Sequence, residues 1–413
     1  MGAHPMTVRN PFFGEMQRRK RTNLLPILLL FIVGSVPLPA KPPKTISFDN
    51  IGVKEGLSNP VVYDIEQGEK GFLWIATANG LNRYDGYEFR HYLPDKNEPL
   101  SRKTISNEVI IDLLVDREGT LWLGSPAGGL SSYDFETDLF THYIHDPGDP
   151  FSISNNSVYA LSEDSRGRIW IATDGGLNSY KKDEGVFVRY RHDPDDANSI
   201  ASDEVHAVVA ADEGIIWIGT KDAGLTRFDP EKNEFTHLKH DPLDPGSISP
   251  GDYPNLYIDS LGYLWITSIG GGLNRYDEVH DRFVHYRHDP NNKNSISYDS
   301  QIRINEDSQG DLWVSTYGGG VDCYDREKDI FVHYRHDPTD PNSLAHDSNV
   351  TVFEDSSGVL WFATYGGGIS KYDRKSEHFT TEQHDPANPA SLSNDDVHAI
   401  YMDSRGELWV GTA

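Results

Sequence analysis

From Val61 onward the chain alternates short runs rich in Val, Ile, Leu, Thr and aromatic residues with tight clusters of Gly, Asp, Asn and Pro. One stretch shows the pattern. Val158 to Leu161 reads as a first strand, Ile169 to Thr173 as a second, Leu177 to Tyr180 as a third and Val186 to Tyr190 as a fourth, with Gly175 and Gly176 in the turn between the second and third. Such runs bounded by turn residues predict an all-β body and argue against βαβ units. No stretch after Lys41 keeps a helical period.

The pattern repeats. Trp74, Trp122, Trp170, Trp217, Trp265, Trp313, Trp361 and Trp409 are all the tryptophans of the chain, and they stand 48 residues apart with one interval of 47. A glycine lies three positions before each, from Gly71 to Gly406, and six copies carry an aspartate six positions before: Asp116, Asp164, Asp259, Asp307, Asp355 and Asp403. Asp-x-x-Gly between two strands reads as a hairpin turn, the carboxylate binding nearby amides and the glycine supplying a positive φ. Four strands in such a period form the blade of a β-propeller, with each tryptophan packed between neighbouring sheets. Seven copies are complete, the first starting at Val61 and the seventh ending near Thr381, while the eighth holds only Val397 to Met402 and Leu408 to Thr412. Phe48 aligns with fourth-strand residues such as Phe140 and Phe283, so an N-terminal outer strand is expected to close the ring by completing the last blade. Seven blades follow from this count; an eight-bladed ring would lack one strand.

Between blades runs a connector with the motif His-Asp-Pro at His145, His192, His240, His288, His336 and His384, each followed by a serine seven residues on. Proline cannot donate to a ladder, so the segment must leave the outer strand and cross to the next blade. These histidines are expected to shape turns, since a metal needs several ligands converging on one point.

Residues 1–40 are of another kind. Arg18, Arg19, Lys20 and Arg21 precede an apolar run from Leu24 to Leu38, ending at Pro39 and Ala40. This is the order of a secretory signal. The run contains Pro26, Gly34 and Pro37 and falls short of the ~20 residues that span a bilayer. A signal peptide cleaved after Ala40 is expected, an uncleaved membrane anchor being the alternative; either places the rest in the periplasm or outside the cell. Residues 41–381 then form the propeller and 382–413 a partial eighth repeat of a truncated chain.

The formal net charge is -27, with acids spread along the chain. A dispersed negative surface excludes nucleic acid as the partner, because phosphate binding requires clustered Lys and Arg. Cys323 is the single cysteine, which rules out an internal disulfide or a cysteine zinc cluster. No nucleophile elbow, His-Glu-x-x-His pair or nucleotide loop is present, and the Gly-Gly-Gly turns lack a following Lys-Ser/Thr. Neither a cofactor nor a metal is expected.

The stretches Asp164-Ser-Arg-Gly167-Arg-Ile-Trp170-Ile-Ala-Thr173-Asp-Gly-Gly-Leu177-Asn-Ser-Tyr180 and Gly71-Phe-Leu-Trp74-Ile-Ala-Thr77-Ala-Asn-Gly-Leu81-Asn-Arg-Tyr84-Asp85-Gly86 resemble the two-component regulator propeller repeat. Phe48 through Glu55-Gly56-Leu57-Ser58 resembles the opening of the sensor regions of hybrid two-component systems. The resemblance spans roughly residues 46–413. It implies an exported, seven-bladed sensor that binds a small molecule, often a carbohydrate fragment, and signals through a membrane helix to a kinase or cyclase normally in the same chain. No kinase or other output module is recognisable here, so the chain itself is expected not to be an enzyme.

Ligand chemistry needs residues that break the repeat. Asn79, Pro126, Lys221, Asp222, Tyr317 and Tyr365, in the turns between second and third strands, are the candidates for a binding rim. The alternative function is a propeller lyase or hydrolase resembling streptogramin lyase in architecture, with His206 and His398 as the candidate catalytic residues.

Overall fold

The computed structural model describes residues 46–375, 384, 391–403, 405 and 407–413. The basic and apolar segment of residues 1–40, with the expected cleavage point, lies outside them. Among the described residues no helix is long and apolar enough to cross a membrane.

Seven four-stranded antiparallel sheets account for the body, each following the order first, second, third, fourth strand outward. The third is made of Val158–Glu163, Ile169–Thr173, Gly176–Lys181 and Val186–Tyr190. The first strand of each sheet lies beside the first strand of the next, and Val62–Gln67 of blade one lies beside Asn349–Glu354 of blade seven. The fold is therefore a closed seven-bladed β-propeller, and among the described residues the one helical element is the 3-10 turn Val53–Glu55.

Closure is made by the N-terminal strand. Asp49–Ile51 pairs antiparallel with Ile369–Asp373 and takes the outer position of blade seven, in the register Asp49 to Lys371, Asn50 to Ser370 and Ile51 to Ile369. Phe48 is buried against Phe362, ring centroids 5.2 Å apart, and against Tyr372 at 6.4 Å. Residues 376–381, where the seventh repeat was expected to supply its own fourth strand, lie outside the described residues. The eighth copy is a two-stranded hairpin, Val397–Met402 with Leu408–Thr412.

The Asp-x-x-Gly motif does more than turn the chain. Asp164 Oδ1 accepts the amides of Arg166 and Arg168 at 2.9 and 3.1 Å, while Oδ2 accepts the Trp170 indole N–H at 2.9 Å. The same Nε1 bond is made by Trp122 to Asp116, Trp265 to Asp259, Trp313 to Asp307 and Trp361 to Asp355. One carboxylate thus joins the turn to the ring that packs the blade, which explains a spacing of six. In blade one Gly68 occupies the aspartate position, and the buried Trp74 Nε1 has no partner. Asp164→Ala is expected to cost about 1–3 kcal/mol, because it orphans a buried donor. Burial pushes the Asp116, Asp164 and Asp355 carboxyls up, but hydrogen bonds from Lys182 to Asp116, from the Ser357 hydroxyl to Asp355, and from the indole and turn amides to all three hold them below the usual range. Their contribution is present above the ordinary carboxylate pKa and is lost as pH falls through the depressed values. Thermal melts of Asp164→Ala and the parent should therefore converge as the pH is lowered.

The connectors are built as the sequence suggests. His145 Nδ1 donates to the Ile153 carbonyl at 2.7 Å, and Ser152 Oγ accepts the Asp146 amide at 2.9 Å. His192, His240, His288 and His336 repeat the first bond, while Ser199, Ser247, Ser295 and Ser343 repeat the second. Each imidazole closes its own loop, which is why these histidines stay in separate blades. No group of acidic, His or Cys side chains suited to a metal occurs among the described residues.

Candidate functional site

A four-stranded meander places the turns between second and third strands at the same end of the ring as the connectors. Asn79 follows the strand Leu73–Thr77, Pro126 follows Leu121–Ser125, Lys221 and Asp222 follow Ile216–Thr220, Tyr317 follows Leu312–Thr316 and Tyr365 follows Val359–Thr364. All six residues thus lie at one mouth of the channel. Their surroundings differ sharply.

Tyr317 and Tyr365 are exposed, 54% and 43%, and their rings stand 6.2 Å apart. Tyr365 also meets Tyr63 of blade one, at 6.1 Å. The glycines that follow make this display possible: Gly318 and Gly366 take φ of 114° and 132°, and Gly366 donates to the Pro60 carbonyl. Ile269, in the corresponding turn of blade five, is 43% exposed. Blades five to seven and blade one thus present an apolar, largely aromatic arc.

Blades three to five present charge instead. Lys221 Nζ lies 3.1 Å from Glu204, and this bond holds the ammonium pKa above its usual value. His206 Nδ1 donates to Asp252 at 2.8 Å, its ring lies 4.6 Å from Tyr159, and the Tyr159 hydroxyl donates to Asp174 at 3.0 Å. Burial, reinforced by Asp174, pushes the Tyr159 hydroxyl up to about 12. Lys221 and Asp222 border an open cleft of about 670 Å³ that runs to Gly251, Asp252 and Tyr253.

Asn79 and Pro126 join neither arc through a contact. The Asn79 amide donates to Thr77 Oγ1 at 3.1 Å, as a turn residue does. Ser125 Oγ, just before Pro126, accepts the Gly128 amide at 3.0 Å and ties the turn in blade two. His398 sits on the exposed hairpin, its Nε2 3.7 Å from Asp396, and does not share the surroundings of His206.

A second group lies inside the channel, and the sequence reading passed over it. The position ten residues before each tryptophan holds Asp64, Asp112, Ala160, Ala207, Asn255, Arg303 and Thr351 in blades one to seven. Arg303 reaches across the ring from blade six and binds Asp64 of blade one, 3.1 Å away, and Asp112 of blade two. Each aspartate also accepts the amide of the following blade's first strand, Asp64 from Leu113 and Asp112 from Leu161, both at 2.8 Å. Burial raises both carboxyls above their ordinary values while Arg303 pulls them back. Glu66, on the same strand as Asp64, is pushed well above its usual range by burial and by the two aspartates. A cavity of about 180 Å³ lies among Glu66, Asp112, Tyr159, Ser162, Asn255 and Arg303. Comparing the residue at one fixed offset from every tryptophan would have revealed this ring of unlike side chains.

The two-component regulator propeller model matches residues 104–127, 152–175 and 391–413, each match running from a connector to the turn after the tryptophan strand or to the last residue of the chain. This chain carries two-component regulator propeller repeats. The extracellular domain of a B. thetaiotaomicron protein assigned as a putative hybrid two component system superposes on this chain with a TM-score of 0.72 and 26% identity, covering 89% of this chain and 47% of that one. Histidine kinase P4 of Formosa agariphila is 43% identical over 51 residues, which is 12% of this chain and 4% of the kinase. This chain therefore spans less than half the length of each of these relatives. Virginiamycin B lyase of Staphylococcus aureus, at 16% identity and a TM-score of 0.58 over 79% of this chain and 99% of the lyase, shares the fold alone.

Proposed function

We propose that this chain is the ligand-binding sensor propeller of an exported two-component-type signalling protein, and that its ligand sits at the channel mouth bearing Lys221, Asp222, Tyr317 and Tyr365. The observation that carries this reading is the division of one rim into an aromatic arc and a charged arc. Aromatic faces opposite carboxylates, an ammonium and an imidazole suit a polyhydroxylated ring, which stacks its C–H face and exchanges hydrogen bonds at its edge. A carbohydrate fragment is the ligand class, and Asn79 and Pro126 border the site without supplying its main contacts. The sensor role is supported by the likeness to the extracellular domain of a hybrid two component system, and the output partner is a kinase or cyclase module. Secretion of the chain rests on the basic and apolar order of residues 18–40.

The test is titration calorimetry with neutral and uronate-containing oligosaccharides. Tyr317→Ala and Tyr365→Ala are each expected to weaken binding about tenfold, equivalent to about 1.4 kcal/mol, with thermal stability unchanged because both rings are exposed. Unaltered affinity in the double variant would remove the rim from the site.

A second reading is favoured by the His206–Asp252 pair, which orients an imidazole beside the same mouth. As an eliminating or hydrolysing enzyme the protein would use His206 as general base. Mass spectrometry of the incubated oligosaccharides separates the two: unchanged ligand supports the sensor, and product that disappears in His206→Ala supports the enzyme.

A further inference from the structure

The opposite end of the propeller carries a feature independent of the rim. At the seam between blades five and six, Arg326 reaches back from the turn after the third strand of blade six. It binds Asp259 of blade five at 2.8 Å and Glu306 of its own blade at 3.0 Å. Arg374 does the same at the next seam, with Asp307, and with Glu354 at 3.5 Å. Lys182 plays this part between blades three and two, bound to Asp116 at 2.7 Å. In each case the aspartate that accepts the indole N–H also binds the cation.

Between blades four and five every member of this arrangement is exchanged. Ala211 stands where the aspartate should be, Glu278 where the cation should be, and Ile258 at the position of Glu306. An open groove of about 410 Å³ results. Its floor contains Trp217, Ile215 and Tyr276, and its walls carry Leu261, Tyr263 and Val279, exposed by 58%, 42% and 88%. Trp217 is 7% exposed, and without the aspartate its indole N–H has no protein acceptor among the described residues. Asp212, Glu213, Asp277 and Glu278 line the groove with Arg227, and Asp277 is already engaged by His280 at 2.8 Å and Arg282 at 3.7 Å.

We propose that this groove docks a segment of a partner protein that carries an arginine or lysine flanked by apolar side chains, the apolar groups covering the floor and the cation meeting the carboxylates at the groove's rim. Charge complementarity selects the partner. Asp212, Glu213 and Glu278 beside an apolar floor favour a basic, amphipathic segment and repel an acidic one. The apolar walls give such a segment a surface to bury, and exposed apolar side chains grouped round one groove mark an interaction surface. Ligand at the rim and partner at this seam would occupy opposite ends of the same rigid ring.

The experiment uses the whole protein and an acetylated, amidated pentapeptide of alternating leucine and arginine. Its controls replace arginine by glutamate or leucine by serine. The readout is the indole N–H resonance of Trp217, assigned by its loss in Trp217→Phe. Saturable displacement of that resonance is expected with the leucine and arginine peptide, with at least tenfold weaker effects from both controls. Ala211→Asp with Glu278→Arg rebuilds the bridge seen at the next seam and should abolish the displacement while preserving or raising thermal stability. Should that pair fail to fold, Val279→Ser alters only an exposed wall and is expected to weaken binding at least threefold. No saturable displacement, equal displacement by the serine and arginine peptide, or undiminished binding in the rebuilt seam would overturn the proposal.

Discussion

Phe48→Ala should destabilise the protein by about 3–5 kcal/mol, the usual cost of emptying a large buried aromatic site. Phe48 packs edge-on against Phe362 and Tyr372, next to the strand Asp49–Ile51 that completes blade seven. Its loss therefore acts on a cavity and on ring closure together. The outer edge of Ile369–Asp373 would be freed, and an unpaired edge is a template for association. Urea melts should show a lowered midpoint. Limited proteolysis should cut first between residues 46 and 60, ahead of any cleavage within blades two to six. Val53→Ala, at a side chain 55% exposed in the same segment, is the control and should change little. A Phe48→Ala unfolding free energy within about 0.5 kcal/mol of the parent, about the range of ordinary surface substitutions, would mean that the N-terminal closure contributes little to stability.

Arg303→Met carries the second large effect. The substitution keeps an unbranched side chain but removes the charge that Asp64 and Asp112 share inside the channel. Breaking a buried pair by removing one partner costs about 3–5 kcal/mol, because the other charge stays buried without compensation. The dependence on pH has a definite sign. Both carboxyls are already raised by burial, so the folded state binds protons that the unfolded chain has released, and stability falls as pH rises between the ordinary carboxylate value and the raised ones. Without Arg303 to pull them back, both pKa values rise further. The loss of stability in Arg303→Met should thus be small near pH 4 and full near pH 8. Thermal melts across that range test this, and a loss independent of pH would show that Arg303 contributes packing and not charge.

The sequence and the structure agree where one side chain recurs in every blade, and they part where a blade departs from the repeat. Trp170 with Asp164 and Gly167 could be read directly, because a turn and a packed ring are local consequences of residue type and spacing. The indole bond to the aspartate escaped that reading, although a spacing of six residues was visible, since its length depends on how the hairpin folds back. The rim is the intermediate case. Tyr317 and Tyr365 were legible as departures from the pattern, but the approach of Tyr365 to Tyr63 joins the last blade to the first across 302 residues. Asp64, Asp112 and Arg303 were not singled out at all, because each looks like an ordinary polar residue of an inner strand until the ring sets the three face to face.

By itself the chain determined its period, its four-stranded unit, the closing role of Phe48 and the connector built on His-Asp-Pro with its serine. These follow from local propensity and from the need of each sheet to bury its faces against identical neighbours. Only the closed ring decided which unlike residues meet: the aromatic and charged arcs at one mouth, the guanidinium clasp within, and the unsealed seam of Ala211 and Glu278 at the far end. Circular closure brings distant repeats to fixed separations, and no spacing along a linear chain encodes a distance across the axis.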